Sequence, residues 1–158
     1  MRWRFVDRIV EIEPWAAIRC LKAVSFEEYS LLKRHGRDGV FPESLMLECC
    51  VEAVRWLAAV SSRFELTSAL LEVSDFRFHR EVGMGETLRI SAGVKRYEGE
   101  ELRAECCVRR AGRENPEGLK QPDEVVATGT IVAALSRLDD GFERETVEGI
   151  WREIHGAS

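Results

Sequence analysis

The segment Leu45 to Val60 (LMLECCVEAVRWLAAV) constrains this chain more than any other. It is apolar at nearly every position, so a helix here has to be covered on most of its faces rather than along one stripe. Its start is equally legible. A charged, glycine-bearing loop, His35 to Val40 (HGRDGV), leads to Pro42, and proline suits a first helical turn, where its missing amide would have had no intrahelical partner. The pattern predicts a helix over about Pro42 to Arg63. Within it Ser44, Glu48, Glu52 and Arg55 follow at spacings of four, four and three, which places them on one stripe. Such a stripe either faces water or a subunit boundary, with Arg55 partnering Glu52, or lines a site.

Extended segments surround this helix. Phe5 to Ile12 reads as a strand ended by Pro14, and Ala17 to Val24 as a second; Ser25 then caps a short helical or irregular piece ahead of Glu27 and Glu28. After the helix the period changes from 3.6 to 2. Leu70 to Val82 reads as a strand with a polar break at Ser74-Asp75. Leu88, Ile90, Ala92 and Val94 alternate with polar or small residues, and so do Leu102, Ala104, Cys106 and Val108, across a turn at Glu98-Gly99-Glu100. That is a hairpin with one wet and one buried face. Gly112 to Asp123, with two prolines and two glycines, is a loop, and Val125 to Leu135 is a central strand. Val147, Ile150, Trp151 and Ile154 lie on one face of a helix starting near Asp140, which docks on its own domain or on a partner.

An α+β architecture satisfies this order: an antiparallel sheet wrapped around one long central helix. The expected division is residues 1–138 for that domain and 139–158 for a C-terminal amphipathic helix extension.

Composition narrows the function classes. A net charge of −5 leaves no basic surplus for general nucleic-acid binding. The opening interleaves charged and apolar residues, and no apolar run approaches a membrane span, so a cytoplasmic protein is expected. Five cysteines, including the neighbours Cys49-Cys50 and Cys106-Cys107, show no C-x-x-C spacing with histidine partners. They read as small buried apolar residues, with a redox role as the alternative. No metal site is implied.

Three stretches carry a resemblance. RFVDRIVEIEP (Arg4 to Pro14), VFPESLMLECCVEA (Val40 to Ala53) and FRFHREVGMGETLRISAGV (Phe76 to Val94) occur in the order, and with the spacing, of the hot-dog-fold beta-hydroxyacyl-acyl-carrier-protein dehydratases. The chain resembles that family over about residues 4 to 136. The resemblance implies a hot-dog fold and a homodimer or larger homo-oligomer. It also implies a composite site made from a loop histidine and a helix glutamate of the dimer mate, with no cofactor. Glu48 falls on the family glutamate. The family histidine falls on Arg34 without a gap, and on His35 if the loop is one residue shorter; Gly36 and Arg37 follow in place of phenylalanine and proline.

The chemistry implied is removal of water from a 3-hydroxyacyl thioester. His35 would serve as base, since arginine stays charged and cannot take a proton, and Glu48 as acid. The helix-start amides of Glu43, Ser44 and Leu45 would receive the thioester oxygen. Lys33, Arg34 and Arg37 would steer an acidic acyl carrier protein, the substrate being its thioester or that of coenzyme A. Two rivals stand beside this: a non-catalytic hot-dog subunit that binds an acyl chain or an active partner, and a hot-dog acyl thioesterase in which Glu48 activates water. His79 and His155 read as surface or packing residues.

Overall fold

The computed structural model describes residues 4–25, 39–138 and 142–155. Strands β1 (Arg8–Glu13) and β2 (Ala17–Ala23) precede the long helix α1 (Glu43–Ser61). Strands β3 (Leu66–Phe78), β4 (Thr87–Glu98), β5 (Glu101–Arg110) and β6 (Glu124–Arg137) follow, and helix α2 (Phe142–Ile154) closes the order. The six strands form one sheet in the order β1-β2-β4-β5-β6-β3, antiparallel at every pairing. The sheet wraps α1, which touches β2 through β6.

Alternation explains which face turns inward. Leu88, Ile90 and Ala92 of β4 and Leu102, Ala104, Cys106 and Val108 of β5 are all buried, and the register sets Ile90 against Val108 and Ala92 against Cys106. Gly99, at φ +59, opens the two-residue turn of this hairpin, where only glycine takes that conformation without strain. From α1 they meet Met46, Cys49, Cys50, Ala53, Val54, Leu57 and Ala58, so the helix is apolar wherever the sheet covers it.

Two strand boundaries differ from the sequence expectation. The first strand starts at Arg8 rather than Phe5, leaving Phe5 and Val6 ahead of it; this lead-in is held by Lys22 Nζ, which donates to the Arg4 carbonyl at 2.7 Å. The third runs from Leu66 to Phe78, earlier than Leu70 to Val82, because its register follows the full length of β6. The polar break at Ser74-Asp75 is a bulge inside it, with Asp75 at φ +53. Val82 instead accepts the Phe41 amide at 2.7 Å, and Val40 bridges Gly83, which fixes the approach to α1.

Helix α2 docks on its own chain. Trp151 lies 6.1 Å from both the Trp56 and the Phe64 rings, Ile154 is buried, and Glu153 pairs with Arg4. Among the described residues no helix is long and apolar enough to cross a membrane.

Candidate active site

The polar stripe of α1 opens into a cleft of about 250 Å³. Glu48, Glu52 and Arg55 form one wall, the lead-in residues Arg4 to Val6 a second, and Ile150 and Ile154 of α2 the third. Arg55 Nη1 donates to Glu52 Oε2 at 2.6 Å, while Arg55 Nε reaches the Ser68 carbonyl of β3 at 3.3 Å. The Glu52 side chain is 21% exposed. Burial raises its pKa above the usual carboxylate value; the Arg55 charge pulls against that and the neighbouring Glu48 adds to it. The cleft thus sets two carboxyl groups one turn apart, with the side chains of Phe5, Val6, Ile150 and Ile154 among its walls.

The start of α1 faces elsewhere. A second cleft, about 280 Å³, is lined by Val40 to Glu43, Met46, Arg80 and Glu81. The Leu45 amide donates to the Pro42 carbonyl at 3.1 Å. The amides of Glu43 and Ser44 precede any intrahelical acceptor and point out at the positive end of the dipole. Glu43 and Glu48 line different clefts, because five residues along a helix turn about 140°. One protomer's helix start and its own Glu48 are therefore not brought together.

His35 lies outside the described residues, as do Lys33, Arg34 and Arg37. His79 Nε2 meets Thr128 Oγ1 at 3.0 Å, and His155 stacks on Trp151 with centroids 4.2 Å apart; neither lines the Glu48 cleft. Among the described residues no cluster of His, Cys, Asp and Glu has the arrangement of a metal site. Glu86, buried at the edge of a charged cleft of about 290 Å³, is satisfied structurally: it accepts the Gly83 amide at 2.7 Å and Arg113 at 2.9 Å. The lead-in and α2 walls of the Glu48 cleft had no signal in the sequence beyond the apolar face of the tail helix.

No model of a known protein family matches the chain. It is 30% identical over 121 residues to a 3-hydroxyacyl-[acyl-carrier-protein] dehydratase FabZ from Symbiobacterium thermophilum, a match spanning 67% of this chain and 84% of that protein. Among solved structures, a hot-dog-like protein from Thermanaerovibrio acidaminovorans superposes with a TM-score of 0.59 at 15% identity, covering 92% of this chain and 95% of that one. A hypothetical thioesterase protein with coenzyme A from Streptococcus pneumoniae gives a TM-score of 0.60 at 11% identity, covering 84% and 88%. At such identities the two structures speak for the fold alone. Sequence and architecture agree, and the chain belongs to the hot-dog-fold family of the 3-hydroxyacyl-[acyl-carrier-protein] dehydratase FabZ.

Proposed function

We propose that this protein removes water from 3-hydroxyacyl thioesters, the acyl group being carried on acyl carrier protein. The observation that supports this best is the placement of Glu48, at the family's glutamate position, in a partly apolar cleft beside the half-buried carboxyl of Glu52. In this reading the His35 imidazole takes the C2 proton, and the C2–H electron pair becomes the C2–C3 double bond. The C3–O bond breaks as Glu48 protonates the departing hydroxyl, which leaves as water. The amides of Glu43 and Ser44 receive the thioester oxygen as negative charge gathers on it. No cofactor is required by these steps.

Separate clefts for Glu43 and Glu48 favour a site shared between two copies, one supplying Glu48 and the other the helix start with its preceding loop. The sheet offers a place for the second copy. Among the described residues β3 pairs only with β6, and on it Leu70 and Leu71 are 42% and 59% exposed. A long edge with exposed leucines suits pairing with an identical edge. Lys33, Arg34 and Arg37 would then steer the acidic carrier.

Thioester hydrolysis is the second reading. It is favoured by the carboxylate pair of the cleft, where Glu48 could activate water without an imidazole. One assay separates them. Purified protein is given 3-hydroxyacyl carrier-protein and pantetheine thioesters, and enoyl product and free thiol are followed together, beside Glu48→Gln and His35→Ala. Dehydration predicts enoyl formation reduced about 100-fold or more in both variants. Thiol release without enoyl product selects the thioesterase, and inactivity of folded protein on every thioester selects a non-catalytic subunit.

A further inference from the structure

We propose that helix α2 is the chain-length wall of the Glu48 cleft, with Ile150 and Ile154 as the residues that stop the acyl chain; this rests on the acyl-thioester reading above. Both isoleucines line the same cleft as the two carboxyl groups, so an acyl chain that enters it from a thioester held at Glu48 meets them. The space is small. Within one protomer the cleft holds about 250 Å³, and α2 closes it on the side of Ile150 and Ile154.

The contacts hold that wall in place. Trp151 is set between Trp56 and Phe64, and Glu153 is ion-paired to Arg4 across the lead-in. Arg144 donates to the Arg63 carbonyl at 3.3 Å, tying the first turn of α2 to the end of α1. The lead-in is itself anchored through the Arg4 carbonyl to the buried Lys22. Three aromatic rings, one ion pair and one side-chain-to-backbone hydrogen bond make α2 a fixed boundary, and its inward side chains set how far a chain can reach. Ile150 is the half-buried member of the pair, so it can be changed with least effect on packing.

The test is a ladder of 3-hydroxyacyl pantetheine thioesters of increasing chain length, with both turnover and binding measured. It is run on the full chain, on Ile150→Ala and on Ile150→Phe, each checked for a cooperative thermal melt. Wild-type protein should favour the short end. Ile150→Ala should raise the long-to-short ratio of kcat/KM by about 10-fold or more, the scale of one methylene in an apolar pocket, and Ile150→Phe should lower it. An unchanged ratio in both folded variants, with turnover or binding intact, overturns the wall and leaves the thioester reading standing. Absence of both turnover and binding for every thioester overturns that reading and the wall with it.

Discussion

Glu52 and Arg55 lie one turn apart on α1 and meet at 2.6 Å, yet the Glu52 carboxyl stays above its ordinary pKa. Burial of the carboxylate outweighs the attraction of the guanidinium, and the charge of Glu48 adds to the effect. A carboxyl whose folded pKa exceeds its unfolded one binds more protons in the native state. Its contribution to stability is present in full below the unfolded value of about 4.3 and is lost as pH rises through the folded value.

Glu52→Gln should remove that slope. Thermal melts of both proteins between acid and neutral pH are expected to show the variant gaining on the wild type as pH rises. A gap that moves toward the wild type over the same range would mean that the Arg55 pair dominates instead.

Gly129 sits under Phe76 at the bulge of β3. A Cβ there would come within 2.2 Å of Phe76 Cδ2 and 2.7 Å of Phe76 Cα. Because the second clash is with main chain, ring rotation cannot relieve it. Gly129→Ala should destabilise by roughly 2–3 kcal/mol in urea unfolding, as overpacked cores do. Most of that loss should persist in a Phe76→Ala background, and full rescue there would assign the clash to the ring alone.

Burial pushes the Cys20 thiol up to about 12, with the Glu52 charge adding to it. The Cys50 thiol is raised by its hydrogen bond with Cys106 and by burial. Cys49 and Cys106 are buried too, and only Cys107 is part-exposed. At about pH 8 a chromogenic disulfide reagent should therefore titrate no more than Cys107 in the native protein, and all five thiols after denaturation. Rapid native reaction of two or more would contradict this packing.

Leu71 is the most exposed leucine of the β3 edge. If a second copy adds to that edge, Leu71→Arg buries charge against charge at the junction and should weaken association by about 10-fold or more. Light scattering over a dilution series checks it. An oligomeric state unchanged by the substitution would place the contact elsewhere.

Much of this architecture is legible in the amino-acid sequence. The apolar run ahead of Arg63 and the proline at its start determine α1, since helix periodicity and first-turn chemistry are local. Alternation with a glycine turn determines the β4–β5 hairpin, and the spacing of Val147, Ile150, Trp151 and Ile154 determines which face of α2 is apolar. The stripe from Ser44 to Arg55 was equally visible, and so was the proximity of Glu48 to Glu52. Tertiary structure alone decided the rest. Where β3 begins depends on its register with β6, a pairing between segments far apart in sequence, and local propensity cannot report it. That the Glu52 carboxyl is raised depends on its burial in a cleft walled by the lead-in and by α2, elements distant in sequence from it. That Glu43 and Glu48 open into separate clefts depends on which walls close around each. The sequence determined a helix with a polar stripe; long-range packing decided what that stripe faces.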